Sequence, residues 1–171
     1  TTLKTKNMHT ELAMKYLYSV VADSPMDVTF REFDADEHYA DIYEEIANGQ
    51  HNIVYFHCDE YNEEEVLHVA EMVKKAIPSI AIIFGGMQTP FGTRSFMKAH
   101  PQVDYVIRGE GERVLFNFIS SIMNYEYDFE NIAGLAYRED DMVVVNPYDA
   151  PLDMESLPFP YERFEVGKGT V

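Results

Sequence analysis

The chain has 171 residues, 46% of them hydrophobic, which is enough for one well-buried core and short for two. Its 30 acidic residues against 13 basic ones give a formal charge of −17, which repels phosphate backbones and anionic bilayers and argues against nucleic acid as a partner. A single cysteine, Cys58, excludes an internal disulfide and any zinc or iron–sulfur site held by several thiolates, and fits a reducing, cytoplasmic setting.

No apolar run reaches the roughly 18 residues of a membrane span, and no secretory leader opens the chain, so no membrane association is expected. A start at Thr1 and a polar end at residues 165–171 give the chain the look of a piece of a longer protein. The acidic residues are spread over several segments, as solvated helix faces are.

The first expected element is a helix from about His9 to Ala22, with Leu12, Ala13, Tyr16, Leu17, Val20 and Val21 at helical spacing. Residues 28–33 alternate as a half-buried strand, and Asp36 to Asn48 reads as an acidic amphipathic helix stopped by Gly49. Asn52 to Phe56 is a continuous apolar strand of the kind covered on both faces. Asn62 before Glu63, Glu64 and Glu65 predicts a helix start, with the Asn62 side chain available to cap free amides and the acids favoured by the helix dipole. That helix carries Val66, Val69, Ala70 and Val73 inward and ends before Pro78.

A strand at Ile80 to Phe84, a weaker helix at Thr93 to Ala99, a strand at Val103 to Ile107 and a helix with Val114, Leu115, Phe118, Ile119 and Ile122 on one face follow. Strands alternating with helices predict an α/β fold: a doubly wound, mostly parallel flavodoxin- or Rossmann-like sheet over residues 1–126. Gly134 to Tyr137 and Met142 to Val145 then read as a C-terminal β-hairpin within 127–147. Pro147, Pro151, Pro158 and Pro160 make 148–171 a linker.

In parallel α/β sheets ligands bind outside the C-terminal ends of the strands. Two of those ends are glycine-rich: Gly85-Gly86, which has no side chains, and Gly109-Glu110-Gly111-Glu112, which opens a helix. Glycine permits close approach to the backbone, so these ends, as neighbours, read as one ligand shelf.

In order along the chain, "IIFGG", "VDYVIRGEGE", "GLAYRED" and "LPFPY" (residues 82–86, 103–112, 134–140 and 157–161) resemble the N-terminal cobalamin-binding domain of cobalamin-dependent radical S-adenosylmethionine proteins. This group includes enzymes similar to the anaerobic magnesium-protoporphyrin monomethyl ester cyclase, and the resemblance spans nearly the whole chain. It implies a cobalamin-binding module whose parent performs methyl transfer or ring modification at an unreactive carbon. It also implies a radical domain in cis beyond the linker; S-adenosylmethionine and a 4Fe-4S cluster belong to that domain, and this fragment alone is not catalytic.

The resemblance assigns Lys4, His9, His57, Tyr61, Gly85, Gly86, Met87, Gln88, Gly109, Glu110, Gly111 and Glu112 to the cofactor shelf. Residues 3–13 resemble the passage from the family's first strand into its first helix, with most of that strand missing. On this reading Gly85 and Gly86 let the nucleotide tail pass against the backbone, and Glu110 and Glu112 accept hydrogen bonds from corrin amides. The chain departs from the family where His57 replaces a small residue, where Tyr61 stands, and where Met87-Gln88 replaces Pro-Glu; it also lacks the Asp-x-His-x-x-Gly signature that supplies a lower cobalt ligand. His9 stands near the position of such a ligand, although a histidine at a helix start more often meets solvent or backbone.

A degenerate α/β docking domain that has lost the corrin is the alternative reading. A phosphate-signalling receiver needs an acidic pair after the first strand, where Lys4 and Lys6 stand, and a lysine after the fifth, where Arg108-Gly109 stands. A dinucleotide domain needs Gly-x-Gly-x-x-Gly after the first strand, which is absent.

Overall fold

The structure is a computed structural model and describes residues 2–4, 12–34, 37–86, 92–140, 142–148, 150, 151, 153 and 157. Its elements run β1 (Thr2–Lys4), α1 (Leu12–Val21), β2 (Glu32–Asp34), α2 (Tyr39–Asn48), β3 (Ile53–His57), α3 (Glu63–Ala76), β4 (Ala81–Gly85), α4 (Thr93–Ala99), β5 (Tyr105–Ile107), α5 (Gly111–Met123), a 3₁₀ turn (Phe129–Asn131), β6 (Leu135–Glu139) and β7 (Met142–Val145).

β3, β4 and β5 pair in parallel, and β6 and β7 extend the same five-stranded sheet antiparallel in the order β3-β4-β5-β6-β7. β1 and β2 form a separate parallel pair in register Thr2↔Glu32 to Lys4↔Asp34. The sheet is covered on both faces, as continuous apolar strands require. Val54, Phe56, Ile82, Phe84 and Val106 face α2, α3 and α4. Ile83, Ile107, Leu135 and Tyr137 face α1 and α5. Phe56, Phe84 and Phe118 are almost wholly inaccessible, and each contributes roughly 1.5–3 kcal/mol by leaving water. The α/β class and the mostly parallel sheet match the expectation from sequence.

Four local readings are corrected. The strand expected at 28–33 is limited to Glu32–Asp34, because the described β1–β2 ladder begins only at Thr2↔Glu32. The second helix starts at Tyr39 rather than Asp36, and Gly49 behind it is right-handed; the left-handed residue is Gln50 (φ 52°). Asn62 does not cap α3 through its side chain, because that amide is engaged in the loop before the helix. The strand read from Val103 starts at Tyr105, since the Val103 amide turns back to the His100 carbonyl (3.1 Å).

A glycine-lined sheet edge as candidate functional site

The C-terminal ends of β3, β4 and β5 lie side by side, carrying His57-Cys58, Gly85-Gly86 and Arg108-Gly109. His57 is buried and opposite Gly85 in the ladder, which continues as Cys58 N–H donates to the Gly85 carbonyl at 2.7 Å. The loop from β3 to α3 is locked by reciprocal side-chain bonds. Asp59 Oδ1 accepts from the amides of Tyr61 (2.8 Å) and Asn62 (3.1 Å), while Asn62 Oδ1 accepts from the Asp59 amide (2.8 Å) and its Nδ2 donates to the His57 carbonyl (3.2 Å). Tyr61, 63% exposed, projects from this fixed loop at the edge.

Gly85 and Gly86 are required by the protein's own packing. A Cβ on Gly85 would stand 1.9 Å from the Tyr55 hydroxyl. Gly86 has φ +122°, and a Cβ there would stand 2.2 Å from the Cys58 carbonyl oxygen. The chain leaving β4 thus passes the chain leaving β3 at backbone contact distance. Cys58 is fully buried, and burial, then the nearby Glu63 and Asp59 carboxylates, push its thiol up to about 12. It is therefore a neutral packing group at physiological pH.

At β5 the chain turns through Gly109 (φ +77°) into α5. Arg108 is 9% exposed; its Nη1 donates to the Asn146 carbonyl at 2.7 Å and its guanidinium carbon lies 4.0 Å from the centre of the Tyr148 ring. Asn146 in turn donates to the carbonyls of Phe129 (2.7 Å) and Ile132 (2.8 Å). Tyr148 therefore stands beside Gly109, where a Cβ would meet its ring at 3.4 Å. Arg113 Nη2 donates to the Ala150 carbonyl (2.6 Å), holding the chain after β7 along the start of α5. Glu110 is exposed, whereas burial, partly opposed by a hydrogen bond from its own amide, raises the pKa of the Glu112 carboxyl. Gly111 brings α5 close to α1, since a Cβ there would press on Leu17 at 3.0 Å.

Gly109 is exposed between the Tyr148 ring and open space, and Glu110 and Glu112 provide acceptors at the helix start. The B12 binding domain family matches residues 1–119. The chain belongs to the B12-binding domain family.

This B12-binding domain is 25% identical over 79 residues to the anaerobic magnesium-protoporphyrin IX monomethyl ester cyclase of Synechocystis, covering 46% of this chain and 16% of the cyclase. It is 26% identical over 106 residues to the cobalamin-dependent radical SAM methyltransferase TokK of Streptomyces tokunonensis, covering 61% of this chain and 16% of TokK. In fold it superposes with TM-score 0.71 and 16% identity on the cobalamin-dependent S-adenosylmethionine radical enzyme OxsB, solved with aqua-cobalamin and S-adenosylmethionine bound, over 88% of this chain and 22% of that one. The domain thus resembles the B12 modules of cobalamin-dependent radical enzymes and spans under a fifth of the length of these two curated relatives.

Of the residues assigned from sequence, the fold gathers His57, Tyr61, Gly85, Gly86, Gly109, Glu110, Gly111 and Glu112 at one edge. Lys4 ends β1, opposite Asp34. His9, Met87 and Gln88 lie outside the described residues. Sequence reasoning passed over Arg108, Asn146 and Tyr148. Arg108 sits inside the "VIRGEGE" motif, and its place there was the one available signal. Among the described residues no group of three or more His, Cys, Asp or Glu side chains is arranged to hold a metal ion, and no helix is long and apolar enough to cross a membrane.

Proposed function

We propose that the domain holds cobalamin across the C-terminal ends of β3, β4 and β5, with the corrin over Gly86, Gly109 and Gly111 and its peripheral amides near Glu110 and Glu112. The observation that carries this reading is the side-by-side alignment of the C-terminal ends of parallel strands, with Gly86 and Gly109 beyond two of them. Bound cobalamin supplies cobalt-centred chemistry; the chain's own residues supply a rigid seat. The Asp59–Asn62 lock fixes the loop carrying Tyr61, and Arg108 fixes Tyr148 beside Gly109. His57, buried at the end of β3, sets the depth of the seat there.

The parent protein, on this proposal, is a cytoplasmic cobalamin-dependent radical S-adenosylmethionine methyltransferase or cyclase. Residues 148–171 lead to a radical domain in cis that holds the cluster and S-adenosylmethionine.

Titration with hydroxocobalamin, followed by absorbance and calorimetry, tests the edge. Gly86→Trp is unsuitable because the Cβ meets backbone. The exposed Glu110→Trp obstructs the proposed seat, while Ser79→Trp, on the exposed turn at the opposite edge, is the control. Saturable binding by wild type and Ser79→Trp, weakened at least about tenfold in Glu110→Trp, supports the seat. Equal binding by both variants moves the corrin elsewhere, and no binding by any folded form favours a docking domain that has lost the cofactor.

A further inference from the structure

The chain after β7 is fastened on both sides of Tyr148. Before it, the Asn146 amide donates to the Leu135 carbonyl (3.0 Å) and the Gly134 amide to the Pro147 carbonyl (2.7 Å), so the backbone stays tied to the start of β6. After it, Arg113 at the start of α5 donates from Nη2 to the Ala150 carbonyl (2.6 Å). Between these anchors the Tyr148 ring lies over Arg108, 4.0 Å from the guanidinium carbon, and 3.4 Å from where a Cβ on Gly109 would stand. Arg108 is 9% exposed, and its Nε is buried without a hydrogen-bond partner among the described residues. Covering that desolvated charge holds the ring in place. The ring is nevertheless 54% exposed. A ring that is fixed yet open offers contact area at little further cost in side-chain entropy. Tyr61, 63% exposed on the loop locked by Asp59 and Asn62, stands at the β3 end of the same edge. β3 and β5 are two strand spacings apart, roughly 10 Å, so the two tyrosines stand at opposite ends of the stretch that carries Gly86 and Gly109.

We propose that Tyr148 is a cofactor-contacting residue whose ring walls the cobalamin seat at β5, and that Arg108 is a positioning residue that acts through that ring. This rests on the seat proposed above and deepens it, because the wall belongs to the chain that leads on from β7 and not to the parallel sheet. A ligand against the ring therefore also holds the chain between β7 and Ala150. By reciprocity, whatever holds that chain strengthens the ligand. A Tyr148 packed only to cover Arg108 would affect folding stability and leave affinity alone.

The test titrates wild type, Tyr148→Ala, Tyr148→Phe, Arg108→Gln and the Tyr148→Ala/Arg108→Gln double with hydroxocobalamin, each checked for a cooperative melt. Tyr125→Ala, which truncates an 81% exposed ring just beyond the far end of α5, is the control. Tyr148→Ala is expected to weaken binding at least about fivefold, Tyr148→Phe to recover most of that loss, and Tyr125→Ala to change nothing. Arg108→Gln is expected to weaken binding too, and the double no further than Tyr148→Ala alone, since Arg108 acts through the ring. In wild type, amide exchange at Tyr148 and Ala150 is expected to slow at least about fivefold on saturation with hydroxocobalamin, a readout that does not depend on the folding of any variant. Wild-type affinity in folded Tyr148→Ala, or unchanged exchange at Tyr148 on saturation, overturns the proposal. If Glu110→Trp still weakens binding in that case, the seat stands and only the wall is lost. Wild-type binding by both Tyr148→Ala and Glu110→Trp overturns seat and wall together. A double variant weakened by the product of the two single effects overturns the positioning role of Arg108.

Discussion

The guanidinium of Arg108 is clamped between the Asn146 carbonyl, 2.7 Å from Nη1, and the face of the Tyr148 ring, 4.0 Å from its central carbon. Arg108 Nε is buried without a hydrogen-bond partner among the described residues, so the ring face offsets part of the desolvation of the charge. Through this clamp the chain after β7 is drawn over the end of β5.

Tyr148→Ala is expected to destabilise the fold by about 1 kcal/mol, since the ring is half exposed and its main charged contact is one cation–π pair. Arg108→Ala should cost about 2–3 kcal/mol, because it also strips a charged donor from a buried carbonyl. Urea unfolding of the singles and the double reads the coupling. A double variant equal to the sum of the singles would mean that the ring contact contributes nothing.

Gly85→Ala and Gly86→Ala separate two kinds of crowding. At Gly85 the nearest atom is the end of the Tyr55 side chain, so a cost of about 1–3 kcal/mol is expected, partly recovered by Tyr55→Phe. At Gly86 the obstacle is the Cys58 backbone and φ is +122°, so a larger loss of about 3 kcal/mol or more should follow. No substitution of the Cys58 side chain should relieve it. Thermal melts of the set check the contrast.

The Cys58 thiol should resist alkylation in the folded protein at pH 8 and react at a rate that follows unfolding. Because its folded pKa is raised from 9.0 to about 12, the unfolded chain loses this proton first. Stability from this group therefore falls as pH rises through that window. Cys58→Ala should flatten this part of the pH–stability curve.

Glu112→Gln is expected to stabilise the domain at pH 7. Burial raises the folded pKa above 4.5, so the ionised form is disfavoured in the fold and stability drops as pH rises past the unfolded value. The advantage of the amide should fade below about pH 4. An advantage unchanged at low pH would point to packing instead of charge.

Lys74 and Asp104 tie α3 to the sheet. Lys74 Nζ donates to Asp104 Oδ2 and to the Ile80 carbonyl, each at 2.7 Å, and the Ile82 amide donates to the same carboxylate oxygen at 2.8 Å. Asp104→Ala should cost about 2–3 kcal/mol, since it leaves a half-buried ammonium and an amide without their acceptor. Lys74→Met should cost less. Chemical denaturation of the two variants gives the ranking.

Much of this was legible in the residues. The spacing of Val66, Val69, Ala70 and Val73 placed α3, and the apolar runs at 52–56 and 80–84 placed β3 and β4 with both faces covered. The glycine-rich stretches marked the ends of β4 and β5, which the fold sets side by side. Asn62 was misread because a cap and a loop lock draw on the same side-chain amide, and only the neighbouring Asp59 and the His57 carbonyl settle which it serves. Arg108 was invisible as a positioning residue because its partners, Asn146 and Tyr148, lie 38 and 40 residues further along.

By itself the sequence determined the order and type of most elements and the parallel character of the sheet, because these follow from local periodicity and from the alternation of strands with helices. The tertiary structure alone decided which atoms crowd Gly85 and Gly86 and what holds Tyr148 beside Gly109. Each of those depends on contacts between residues far apart in the chain, which no local pattern encodes.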